Sequence, residues 1–127
     1  MTTEQVSIIR LWDVLLVPLQ GDITDRHAEH LTDEVLQRLA QSRARGLVVD
    51  VSGVALIDSH LCAMIASLAA SARLMGTRSF VAGLSAEVAM TLETMGVSFK
   101  QIQTTRGLEE ALAQFDIGLT SPGGEQE

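Results

Sequence analysis

Residues 46–61 read Gly-Leu-Val-Val-Asp-Val-Ser-Gly-Val-Ala-Leu-Ile-Asp-Ser-His-Leu. The β-branched run at 47–51 has apolar residues on both strand faces, the pattern of a central strand covered on both sides. A Ser-Gly turn, a second apolar run and then Asp58-Ser59 opening an Ala-rich segment complete a strand, loop and helix unit. Ser59 is thereby placed where a helix begins. First-turn N–H groups lack intrahelical acceptors and sit at the positive end of the macrodipole, so a Ser there can cap the helix or, once modified, hold a phosphate.

Toward the C-terminus, this helix is expected to run from Ser59 to about Met75. Its stripe is Leu61, Ile65, Leu68, Ala72 and Met75, with Cys62, Ala66 and Ala69 beside it. Gly76 stops it, residues 79–83 form a strand, and Ser85 caps a helix on which Val88, Leu92 and Met95 line up before Gly96. Val97 to Ile102 reads as a short extended segment. Gly107 to Phe115 gives a last helix with Leu108, Ala111, Leu112 and Phe115 at helical spacing.

Toward the N-terminus, residues 6–11 and 14–19 read as two strands joined at Trp12-Asp13, a hairpin pattern. Pro18 lacks a ladder donor and belongs at an edge or a strand end. Residues 20–24 lead out of the sheet. Thr24 or Asp25 can cap a helix whose apolar positions are Ala28, Leu31, Val35, Leu36 and Leu39, ending between Ser42 and Arg45 with Gly46 as terminator. The order β β α β α β α (β) α predicts a single α/β domain over 6–115. It has a mixed, mostly parallel sheet of four to five strands with about four helices. Residues 1–5 read as a flexible lead and 116–127, ending Ser-Pro-Gly-Gly-Glu-Gln-Glu, as a disordered tail.

A chain of 127 residues has room for one such domain and not two. Although 46% of it is hydrophobic, no apolar run approaches the roughly 20 residues of a membrane span, and the first residues lack the basic-then-apolar order of a signal peptide. A cytoplasmic location is the expectation, and the single cysteine, Cys62, agrees with it. The net charge of −7 argues against a nucleic-acid backbone or an anionic membrane as the main partner. With no Tyr and one Trp, the chain also has few rings for stacking bases.

Enzymatic signatures are missing. Neither GxxxxGK[ST] nor GxGxxG occurs, and Asp50 has no paired acids to hold a divalent cation. His27 and His30 are three apart without a third ligand, so they read as solvated helix residues rather than a metal site. His60 beside Ser59 points elsewhere on a helix start and no GxSxG elbow surrounds the pair. Cys62, Met64, Met75, Met90 and Met95 read as packing residues. The expectation is no catalytic residue, metal or cofactor. On residue physics alone, Ser59 is best explained as an N-cap with Asp58 before it.

Three stretches carry a resemblance: LVVDVSGVALIDSHL (47–61), SLAASARLMGTRSFVAGLSAEVAMTLETMGV (67–97) and LLVPLQGDIT (15–24). Together they resemble the STAS domain, the sulfate transporter and anti-sigma factor antagonist family, over most of residues 6–115. Within that family the chain is most similar to stressosome scaffold proteins of the RsbS type, which are single STAS domains without a sensory extension. The resemblance implies a non-enzymatic scaffold in which Ser59 is the phosphoacceptor for a serine kinase of the anti-sigma type, with a serine phosphatase reversing the mark. It implies homo-oligomers and a large hetero-oligomer with RsbR-type STAS paralogues, in which Gly21, Asp22, Thr24, Asp58, Ser59 and His60 meet the partner.

This sequence departs from the family pattern twice. Thr24-Asp25 replaces a Leu-Asp pair, and Ala82 stands where a second phosphorylatable Thr is common, so no second mark forms there. The phosphate on Ser59 is expected to be received by N–H groups near Leu61 and Cys62. Two other readings remain open at this point: a free monomeric anti-anti-sigma factor, and an accessory subunit of a lipid or anion transport system.

Overall fold

A computed structural model describes residues 7–94 and 102–117. Met95, Gly96, the segment from Val97 to Lys100, the lead at 1–5 and the tail beyond Ile117 lie outside the described residues.

Strand β1 (Ile9–Leu11) turns through Trp12-Asp13 into β2 (Val14–Gly21), pairing antiparallel with Leu11 opposite Val14. Strand β3 (Gly46–Val54) pairs parallel with β2, β4 (Arg78–Ala82) parallel with β3, and β5 (Gln103–Thr105) parallel with β4. The sheet order is β1-β2-β3-β4-β5, so the expected mixed and mostly parallel α/β sheet is found. Pro18 sits inside β2, but β1 reaches only as far as Leu16, which leaves β2 an edge at that point and spares the missing donor. The last strand falls at 103–105, just past the segment expected to be extended.

Helix α1 (Asp25–Ser42) starts at Thr24, whose Oγ1 accepts from His27 N–H at 3.1 Å. Its buried residues Ala28, Leu31, Val35 and Leu39 are the stripe read from the sequence. It is ended by Arg43, which takes the left-handed conformation and donates its N–H to Leu39 O at 3.0 Å. Gly46 therefore has a different role from the terminator expected. It opens β3, and a Cβ there would stand 2.5 Å from the ring of Phe115.

Helix α2 (Ser59–Leu74) buries Leu61, Ile65, Leu68 and Ala72, with Cys62 and Ala69. Met75 falls off the stripe and is 46% exposed. Ser85 Oγ accepts from Val88 N–H at 3.1 Å at the start of α3 (Ala86–Thr94), and α4 (Leu108–Ala113) is shorter than expected. Phe115 nonetheless stays buried beyond it, as does Ile117, two residues into the segment read as tail.

Two cores explain why β3 is apolar on both sides. Leu47, Val49 and Val51 pack with Leu31, Val35, Leu61, Ile65 and Leu68 under α1 and α2, with Val88 of α3 at the margin. Val48 joins Val14, Leu16, Phe80, Leu112 and Phe115 under α4. Among the described residues no helix is long and apolar enough to cross a membrane.

Candidate functional site

All helices that follow parallel strands start at the carboxyl ends of those strands, where open α/β sheets bind their ligands. Two connections meet there. Gly21, at φ +71°, pairs with Val54, and its carbonyl accepts the N–H of Ala55 at 3.0 Å. The loop into α1 is thus fastened beside the loop into α2. One turn further on, His60 Nε2 lies 2.9 Å from Asp25 Oδ1. Gly21, Asp22, Thr24, Asp58, Ser59 and His60, scattered over 40 residues of sequence, share one end of the sheet.

The cap of α2 is Asp58, not Ser59. Its Oδ1 accepts from Leu61 N–H at 2.9 Å and its carbonyl from Cys62 N–H at 3.1 Å. Those two N–H groups, expected to receive a phosphate, are therefore already used. The first-turn donors without a hydrogen bond among the described residues are Ser59 N–H and His60 N–H. Ser59 is the first helical residue, half-buried, and its hydroxyl makes no hydrogen bond among the described residues. A short polar side chain before it does the capping and leaves the Ser hydroxyl available.

The neighbouring groups limit the chemistry. Asp50 Oδ1 accepts from both Ser52 N–H (3.0 Å) and Ser52 Oγ (2.8 Å), a local turn that holds the end of β3. Among the described residues no three His, Cys, Asp or Glu side chains gather as a metal site. Burial, and secondarily the charge of Asp58, push the Cys62 thiol from its ordinary 9.0 to about 11, which suppresses the thiolate that nucleophilic chemistry requires.

Between α1 and α2 runs an open groove of about 560 Å³. It is lined from α1 by Asp25, Ala28, Glu29 and Asp33 and from α2 by His60, Ala63 and Met64. The sequence reading passed over it. Its signal was the acidic recurrence at 25, 29 and 33, four residues apart and so on one helix face.

A sequence profile described as the STAS domain matches residues 5–111. The chain belongs to the STAS-domain family. The fold and the family inferred from the three stretches are both borne out. Among curated relatives, the RsbT co-antagonist protein RsbRB of Bacillus subtilis (strain 168) is 34% identical over 97 residues, which is 76% of this chain and 35% of the relative. This STAS chain spans about a third of that relative's length. Among solved structures, a Ser-to-Glu variant of RsbS from Moorella thermoacetica superposes with a TM-score of 0.77 at 24% identity, covering 88% of this chain and 95% of that one. A chain of the stressosome, described as a signal integration and transduction hub, follows with 0.73 at 23% identity, covering 87% and 96%. Both structural likenesses concern the fold. The STAS chain is thus similar to RsbR-type co-antagonists in sequence and to RsbS in fold.

Proposed function

We propose that this STAS domain is a non-catalytic stressosome subunit that captures a serine kinase of the anti-sigma type and releases it when Ser59 is phosphorylated. The observation that carries the reading is the division of labour at the head of α2. Asp58 caps, so Ser59 is spared for modification, and the Ser59 and His60 N–H groups of the same first turn make no hydrogen bond among the described residues. A phosphate adds about −1.5 to −2 charge at pH 7 with three acceptor oxygens. Ser59 and His60 N–H can meet part of that charge at the positive end of α2. Asp58 and Asp25 oppose the rest, so the domain keeps its fold while its surface changes.

A kinase docked over Ser59, His60 and the Gly21–Thr24 turn would have to desolvate that poorly matched charge, at a cost on the order of several kcal/mol. The subunit works in the cytoplasm, assembled with RsbR-type paralogues and other copies of itself, and a serine phosphatase resets the mark. The test is phosphate transfer and capture with the cognate kinase. Incubation with ATP is expected to place one phosphate on Ser59, read by mass spectrometry, and Ser59→Asp to lower kinase capture while Ser59→Ala retains it. Absence of phosphate at Ser59, or capture indifferent to Ser59→Asp, overturns the reading.

A further inference from the structure

The turn between β1 and β2 carries the single tryptophan of the chain, 72% exposed and at φ +56°. A positive φ at the first position of a two-residue hairpin loop suits glycine, and a bulky residue there is strained. Trp12 joins neither core cluster. Folding therefore gives no account of why an indole is held in that place. Two cations are tied to its turn, Arg10 Nε donating to Trp12 O at 2.7 Å and Arg45 Nε to Asp13 Oδ2 at 2.6 Å, and exposed Arg43 stands two residues before Arg45 at the end of α1. This is the amino-terminal end of the parallel strands, where α1 and α2 finish.

The α1–α2 groove lies at the other end, where the same helices begin, and it has the complementary character. Its apolar lining is Ala28, Ala63 and Met64, and of its acidic residues Glu29 and Asp33 make no ion pair among the described residues. A volume of about 560 Å³ holds an indole. We propose that Trp12 of one copy of this chain seats in the α1–α2 groove of a second copy, with the Arg10 and Arg43 side facing Glu29 and Asp33. Trp and Arg are the residues that dominate protein contacts, and an indole has roughly 150–250 Å² to bury. The contact is head to tail, so it leaves a knob and a groove open at the two ends and builds short chains instead of a closed pair. The contact is tested on the unphosphorylated chain without a kinase, so its failure and that of the kinase-capture reading are distinguishable.

Sedimentation velocity of the purified chain tests this. The mean mass is expected to rise with protein concentration and to rise less at about 1 M salt, where the Debye length is about 3 Å. Trp12→Gly removes the ring and relieves the positive φ, so association is expected to weaken by about tenfold or more while the melting temperature holds or rises. Exposed Ala63→Arg blocks the groove and is expected to do the same. Each variant alone should be monomeric, yet their equimolar mixture should form a one-to-one complex, because one keeps the groove and the other the tryptophan. A wild-type chain that stays monomeric, or a mixture that does not pair, overturns the proposal. So does a groove that Ala63→Arg closes only to a different STAS protein.

Discussion

His60 Nε2 and Asp25 Oδ1 lie 2.9 Å apart, joining the first turn of α2 to the first turn of α1 across the head of the groove. Both side chains are largely exposed, and exposed pairs contribute about 0–1 kcal/mol. The pair is therefore a means of position rather than stability. His60→Ala and Asp25→Asn should each shift the melting temperature by no more than a few degrees. Under the kinase-capture reading, each should weaken capture more than it lowers stability, measured by binding and melting on the same preparations. Loss of stability in proportion to binding would show the pair to be structural.

The Asp58–Leu61 hydrogen bond predicts opposite behaviour for adjacent residues. Asp58→Ala leaves the Leu61 N–H without its acceptor and should cost about 1 kcal/mol, or roughly 3–6 °C for a domain of this size. Ser59→Ala should be within about 0.5 kcal/mol of wild type, because no hydrogen bond of the Ser59 hydroxyl is lost. Thermal denaturation of the two variants decides the matter. Equal destabilisation would return the cap to Ser59.

Gly46 and Phe115 make a further pair. The Phe115 ring lies over Gly46, in edge contact with Phe80 at 5.3 Å between centroids and with the Arg45 guanidinium 5.4 Å from its own centroid. Arg45 also donates through Nη2 to Phe115 O at 2.7 Å, so the ring has little freedom to retreat. Gly46→Ala should cost about 1–3 kcal/mol by overpacking. Phe115→Leu alone should also destabilise, but it opens space for the new methyl, and the double variant should be less damaged than the two changes summed. Chemical denaturation of the four proteins gives the coupling; additive losses would mean that the ring does not restrain Gly46.

Periodicity made most of this fold legible. The stripes Ala28-Leu31-Val35-Leu39 and Leu61-Ile65-Leu68-Ala72 name the helices on one sheet face, and the two-sided apolarity of 47–51 marks the central strand. Gly46 misled because a glycine after a helix reads as a stop, whereas here a ring 69 residues away demands it, and Arg43 supplies the left-handed cap that residue type seldom takes. Ser59 was found from the strand-loop-helix order, but its assignment as cap was not decidable locally: Asp58 and Ser59 are both good caps, and one residue of helix phase chooses between them. The Trp12-Asp13 turn was legible but the left-handed φ of Trp12 was not, and the acidic recurrence at 25, 29 and 33 marks one helix face without saying which helix packs beside it to make a groove.

Cys62 supplies the last prediction. It is buried on α2, and burial together with Asp58 raises its thiol to about 11. At pH 8 a disulfide reagent should react with it no faster than the domain opens, and denaturant should accelerate the reaction in step with unfolding. The pH dependence follows from the direction of the shift. A thiol whose folded value is raised from 9.0 to about 11 favours the folded state fully below pH 9, and that contribution is lost as pH climbs from 9 to 11. Wild-type stability should therefore fall relative to Cys62→Ala over that interval, by on the order of 2 kcal/mol. Parallel stability curves for the two proteins between pH 8 and about 11 would mean that the thiol ionises as readily folded as unfolded.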